Sequence, residues 1–274
     1  DKLVSNGKGE TIPQEQMPYP DYDLLKTGLR DKPELIENYF RDAKYANLFH
    51  MDERFYDGSR GKMLATLFTT KGCVAKCTFC QRAYKGYYVM DLDALDEHMS
   101  YLKKHHNVGH ILLRDENFGS NLEHAKGVAR VFTKHNMLWS ASGIRATSIN
   151  REVIDYFKEH NCSFIQFGIE TGSQMMLDVM EKKLNIKTVE ERLNDCFENK
   201  MYPPVSLLLG MPGETNETVV ETAHFVSRIC SMMKVTPETL LKYSGLDVFY
   251  AVALPGTPLY DWAKITGKYG TTLD

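Results

Sequence analysis

From Lys62 onward, short apolar runs alternate with longer segments whose apolar residues recur every three or four positions. The runs fall at residues 63–69, 110–114, 137–142, 163–168, 205–210 and 246–252. Their length and bounding turn residues predict buried strands. The segments 92–105, 122–135, 151–160, 189–199 and 218–233 predict amphipathic helices. Strands alternating with helices imply a parallel sheet with right-handed crossovers. Six units are too few to close an eight-unit barrel. The expected fold class is therefore α/β, a partial (β/α)6 TIM-like barrel with parallel strands, spanning residues 61–274. Residues 1–60 lack this rhythm. Gly7, Gly9, Pro13, Pro18 and Pro20 make them read as a linker and N-terminal extension. Within that stretch, Pro33 suits the first turn of a short helix.

Composition narrows the class. The chain has 274 residues, 43% hydrophobic and 25% charged, enough for one large core. A formal net charge of -3 gives no global basic field, so no nucleic-acid partner is expected. No apolar run is long enough to span a bilayer, and residues 1–10 carry no apolar signal segment. The expectation is a soluble cytoplasmic protein. The chain starts at Asp1 and stops at Asp274, soon after a motif-like stretch. We therefore expect a piece of a longer polypeptide, with the C-terminal part of the core truncated.

Candidate chemistry gathers where such folds place their active sites, in loops after the carboxyl ends of the strands. Cys73, Cys77 and Cys80 follow the first strand. Asp115-Glu116-Asn117-Phe118 follow the second and Gly143-Ile144-Arg145 the third. Glu170-Thr171-Gly172-Ser173 follow the fourth and Met211-Pro212-Gly213-Glu214 the fifth. Three of the six cysteines crowd into eight residues, unlike a secreted disulfide framework. Thiolates are strong ligands for iron–sulfur clusters and zinc. With no fourth cysteine nearby, three ligands would leave one iron of a cubane open to a substrate or cofactor. The competing reading is a structural zinc site completed by His50, His98 or His105, although no second Cys/His knuckle exists. Cys162, Cys196 and Cys230 read as small buried apolar residues, and Met175-Met176-Leu177 with Met180 as core.

The Cys-x-x-x-Cys-x-x-Cys loop, with Phe79 before its last cysteine, resembles the radical S-adenosylmethionine (SAM) superfamily over about residues 60–260. Three further motifs resemble the cobalamin-binding group of that superfamily. They are Asp115-Glu116-Asn117-Phe118, the run from Phe167 to Ser173, and the run from Leu209 to Thr215. The late Leu254-Pro255-Gly256-Thr257-Pro258-Leu259-Tyr260 also fits, as does the start at Met17 to Leu25. The cobalamin domain of that group would precede Asp1.

The resemblance implies a [4Fe-4S] cluster on Cys73, Cys77 and Cys80. It implies SAM chelated at the open iron and one-electron cleavage to a 5′-deoxyadenosyl radical that takes hydrogen from substrate. In cobalamin-dependent members, methyl transfer follows. Phe79, Gly210 and Met211 would pass the adenine. Asp115 and Glu116 would lie beside the SAM amine. Arg145, Glu170 and Lys182 would approach its carboxylate or ribose. The acidic second-strand motif departs from the glycine-rich version of many members. An electron donor of flavodoxin or ferredoxin type is implied, and Lys71, Lys76, Arg82 and Lys85 around the cysteine loop suit an acidic partner. Two rivals stay open: a radical SAM oxidoreductase or cyclase without methyl transfer, and a non-catalytic iron–sulfur or zinc module. Methylthiotransferases fit less well, because residues 1–60 hold no cysteine.

Overall fold

The computed structural model describes residues 19–28, 32–82, 86–234 and 245–268. Met17, Pro18 and Lys85 therefore lie outside the described residues, as do Gly7, Gly9 and Pro13. The six expected strands form as β2 (Met63–Leu67), β5 (Val108–Leu113), β6 (Leu138–Ile144), β7 (Cys162–Phe167), β8 (Val205–Leu209) and β9 (Leu246–Tyr250). Three further strands are β1 (Arg41–Asp42), β3 (Thr70–Gly72) and β4 (Tyr87–Val89). One sheet runs β1-β2-β5-β6-β7, with β1 antiparallel and the others parallel, and β8-β9 form a parallel pair. The expected six-strand wall is therefore interrupted between β7 and β8. It is rejoined only past the end of β7, by a parallel bridge between Glu170 and Leu207.

The helices are α1 (Tyr22–Gly28), α2 (Leu92–His106), α3 (Leu122–Lys134), α4 (Arg151–Glu159), α5 (Gln174–Val179), α6 (Ile186–Glu198), α7 (Asn216–Met232) and α8 (Pro258–Ile265). The starts of α2, α3, α4 and α7 are set by Asp91, Asn121, Asn150 and Thr215. Their side chains accept from backbone N–H groups in the first turn. The positive φ of Asn107 ends α2 after a last turn containing Lys103, Lys104, His105 and His106. Among the described residues no helix is long and apolar enough to cross a membrane.

Alternation along the strands separates two faces. Ala65, Leu67, Ile111, Leu113, Trp139, Ala141 and Ile165 share the main core with Leu95, Val128, Phe132, Phe157 and Leu193 of the helices. Trp139 lies between the rings of Phe118, Phe132 and Phe157, with centroids 5.5–6.0 Å away. Leu64, Leu138 and Phe164 face the other way, into the barrel, and pack on Phe49 and Ala43.

Residues 41–56 correct the linker reading. They form β1 and three 3-10 turns, Ala43–Tyr45, Asn47–Met51 and Glu53–Tyr56, that plug the barrel floor. Arg54 staples this plug to the barrel. Its guanidinium donates to the carbonyls of Lys158 (3.0 Å) and Cys162 (2.7 Å) and pairs with Asp52 at 2.6 Å. Burial works against the Asp52 carboxylate, but Arg54 and Lys158 hold it below its ordinary range. Short 3-10 turns have neither a helical nor a strand period, which is why the hydrophobic pattern passes over them.

Candidate active site at the barrel rim

The cysteine loop has a stem. After β2 the chain forms β3, which pairs antiparallel with β4 so that Gly72 faces Tyr87. Cys73, Cys77 and Cys80 lie in the loop this ribbon closes, with Cys73 and Cys77 half-buried and Cys80 exposed. The loop is strapped from two sides. Thr78 N–H donates to the Met180 carbonyl at 3.0 Å, and Leu259 N–H donates to the Thr78 carbonyl at 3.0 Å. Gln81 Nε2 donates to the Pro255 carbonyl at 2.9 Å. The late motif at Leu254 to Tyr260 is thus a buttress for the cysteine loop.

Phe79 is half-buried and packs on Met176, Met180, Leu208, Met211 and Leu259. Met176, Leu177 and Met180 are core as expected and fully buried, whereas Met175 is exposed. A cavity of about 510 Å³ opens beside Cys77 and Cys80, with Lys76, Arg82, Glu181 and Pro258 in its wall.

Around this loop the structure gathers charge. Lys182 is buried, pairs with Glu170 at 2.9 Å and sits 5.7 Å from the centre of the Phe79 ring. Arg145 donates to the Lys182 carbonyl. Glu170 has a φ of 70°, an uncommon conformation for a residue with a side chain. That turn lets its N–H reach the Ser206 carbonyl (3.1 Å) and its carbonyl accept from Leu208 N–H (2.7 Å), closing the gap to β8. A Cβ added at Gly168 would sit 3.1 Å from Lys182 Nζ and 3.3 Å from Glu170 Oε1, so the glycine leaves room for that pair. The Cys80 thiol is pushed up by desolvation within the loop, although its side chain reaches solvent, and then by the thiols of Cys77 and Cys73. Lys182 pulls the other way and Glu116 adds to the rise. Glu116 and Lys182 are thus each within electrostatic reach of Cys80.

The second-strand motif divides by side. Asp115 is buried and turned inward. It accepts from Thr69 N–H (2.7 Å), Thr69 Oγ1 (2.7 Å) and Thr70 N–H (3.1 Å). Burial pushes its pKa up and these three bonds pull it back. Its carboxylate latches β5 to the chain entering the cysteine loop. Glu116 is exposed on the opposite side, Asn117 is fully buried with neither amide atom hydrogen-bonded among the described residues, and Phe118 is core. An Asp115→Ala variant strands two buried N–H groups. It is expected to lose about 2–4 kcal/mol in urea unfolding. Asp115→Asn, whose amide oxygen still accepts both, is expected to lose about 1 kcal/mol or less.

Gly210 is exposed, has a φ of 87° and gives its N–H to Glu214 Oε2 at 2.6 Å, while the Met211 side chain is buried beneath it. The histidines of the zinc reading pack on aromatic rings instead. His50 lies 5.0 Å from Phe55, His98 4.6 Å from Tyr19 and His105 4.7 Å from Tyr101.

Residues 67–226 match the model of the radical SAM superfamily, more than half of the chain. The chain belongs to that superfamily. It is an enzyme of a family that uses a [4Fe-4S] cluster and SAM and needs a reductant. It is 24% identical over 197 residues to the cytidylyl-2-hydroxyethylphosphonate methyltransferase of Streptomyces wedmorensis, covering 68% of this chain and 35% of that one. It is also 24% identical to the anaerobic magnesium-protoporphyrin IX monomethyl ester cyclase of Rubrivivax gelatinosus, over 56% of this chain and 28% of that one. In structure it resembles the radical SAM methyltransferase TsrM of Kitasatospora setae, solved with cobalamin and a [4Fe-4S] cluster. The TM-score is 0.62 at 20% identity, over 78% of this chain and 41% of that one. The chain thus spans about a third of the length of these two curated relatives.

Proposed function

We propose that this chain is the catalytic core of a cobalamin-type radical SAM methyltransferase, in which Cys73, Cys77 and Cys80 hold the cluster. The observation that carries the reading is the strapped three-cysteine loop beside the Lys182–Glu170 pair. The donor set fits: three thiols occupy one loop, the cavity reaches Cys77 and Cys80, and the other described cysteines lie elsewhere. Among the described residues no three His, Cys, Asp or Glu side chains form a ready cage. The loop therefore has to draw its thiols together as the cluster assembles, as is usual for metal sites.

When bound, the cluster supplies the electron that cleaves SAM. The protein's own residues bind and orient. The Lys182 ammonium, held by Glu170 and fixed through its backbone by Arg145, suits a carboxylate. Glu170 suits a ribose hydroxyl. Phe79, Gly210 and Met211 form a surface for adenine, with the Phe79 ring firmly seated and the Gly210 backbone tied by Glu214. Asp115 acts as a positioning residue and leaves Glu116 to face the amine. Methyl transfer is favoured by the likeness to two methyltransferases, one of them solved with cobalamin. Oxidation or cyclisation without methyl transfer is the second reading, favoured by the cyclase relative. A flavodoxin- or ferredoxin-type donor would meet Lys76 and Arg82, which are exposed beside the cysteines.

The test is anaerobic reconstitution, reduction and SAM addition. The expected product is 5′-deoxyadenosine; stoichiometric zinc in place of an oxygen-sensitive cluster sinks the reading. In the same assay a Lys182→Met variant removes one charge-assisted hydrogen bond. Its SAM affinity is expected to fall about 10- to 100-fold, and unchanged affinity would remove Lys182 from the site.

A further inference from the structure

The inner wall of the barrel is layered by strand alternation. Its lowest layer is Leu64, Leu138 and Phe164 on the Phe49 plug, with His110 paired to Leu64. Above, Thr66, Leu112 and Ser140 pair across the strands, with Ser140 also opposite Phe164, and two residues further along β7 Gln166 Nε2 donates to Ser206 Oγ at 3.1 Å. Thr66 sits within β2 and is exposed, so the lumen opens to solvent at this height.

The next layer is Phe68 and Arg114. Leu67 pairs with Leu113 in parallel register, and Arg114 N–H donates to the Leu67 carbonyl at 2.9 Å. That bond belongs to the last pair of the ladder, so Phe68 and Arg114 each follow directly on the paired core residues Leu67 and Leu113, and alternation turns both to the face opposite that core, the concave one. Phe68 is 51% exposed, and Arg114 is exposed too. Among the described residues the Arg114 guanidinium has no ion pair, hydrogen bond or ring contact. A solvated arginine on a convex surface needs no explanation. An open arginine beside an open phenylalanine, inside the mouth of a barrel, is a different object. The neighbouring cations are committed: Lys182 to Glu170, and Arg145 to the Lys182 carbonyl. Asp115, next in sequence, is spent on Thr69 and Thr70.

We propose that Phe68 and Arg114 are the substrate-reading pair of this mouth, selecting a small molecule that carries an oxyanion on a flat apolar body. Guanidinium matches carboxylate and phosphate oxygens in a two-pronged fashion. An exposed aromatic face supplies apolar contact at low entropic cost. The polar layer below, from Thr66 to Ser206, then meets the rest of the molecule. This rests on the radical SAM reading for the site's chemistry and adds the class of substrate.

The experiment is calorimetric titration of the cluster-loaded, SAM-saturated chain with benzoate, acetate, phenyl phosphate and inorganic phosphate. The aromatic oxyanions are expected to bind more tightly than acetate or inorganic phosphate, and the carboxylate and phosphate arms show which group is preferred. Arg114→Gln is expected to weaken the aromatic oxyanions at least about tenfold. Phe68→Ala is expected to erase the advantage of the aromatic probes. Equal binding by wild type and Arg114→Gln, or no binding of any probe by wild type, overturns the proposal. So does a loss of SAM affinity in Arg114→Gln with probe binding intact, which would give Arg114 to SAM. The titration is repeated without cluster, since the strands alone build this wall. Arg114-dependent binding in this cluster-free protein supports the pair by itself, while the radical reading fails separately if the reconstituted protein forms no 5′-deoxyadenosine.

Discussion

A Cys77→Ala variant is expected to form no oxygen-sensitive cluster and to release 5′-deoxyadenosine only at the level of protein without iron, while unfolding at nearly the wild-type denaturant concentration. The two halves of that result have separate causes. Three thiols are the whole donor set of the loop, and its straps run through Thr78, Gln81 and Leu259, not through a fourth ligand. With two thiols left, two of the four irons of a cubane have no protein ligand, too few to hold the cluster. Stability is spared because Cys77 is half-buried on a loop outside the main core, so its removal is expected to cost less than about 1 kcal/mol. Cys196→Ala is the control. Cys196 is fully buried in the main core, so its loss is expected to cost about 1–2 kcal/mol and leave the iron content intact. Iron content, 5′-deoxyadenosine yield and urea midpoints check all three statements. Full cluster content in Cys77→Ala would mean that another side chain supplies the ligand.

Much of this architecture was legible because periodicity is a property of the chain. The run expected at 63–69 is Met63–Leu67, and the helix expected at 92–105 is Leu92–His106. What periodicity misses is built from contacts distant in sequence. The β3–β4 ribbon joins short strands across the cysteine loop. The floor plug is irregular and is fixed by Arg54 reaching carbonyls more than a hundred positions away. The adjacent acids looked equivalent in sequence, yet they lie on opposite sides. Alternation past β5 could have separated them, sending Asp115 inward and leaving Arg114 on the concave face. The Arg114–Phe68 pair was invisible for the same reason: only register makes residues 46 positions apart neighbours.

The largest stability effect is expected at Gly143, where β6 passes the loop that carries Asp115 and Glu116. Its φ of 72° lies in the left-handed region, which costs a residue with a Cβ about 1–2 kcal/mol. The added carbon also has nowhere to go. It would stand 2.1 Å from the Asp115 carbonyl oxygen and 2.9 Å from the Glu116 carbonyl carbon. Both are backbone atoms, so relief requires moving the loop itself. Overpacking of this kind costs about 1–3 kcal/mol or more, giving a total for Gly143→Ala of about 2–5 kcal/mol. The displaced loop includes the Asp115 backbone, so the latch on Thr69 and Thr70 shifts with it. Gly143→Ala is therefore expected to lower the urea midpoint and to weaken cluster retention in the protein that remains folded. A wild-type midpoint would show that β6 and the Asp115 loop can part without cost, and the latch would then not be what positions the cysteine loop.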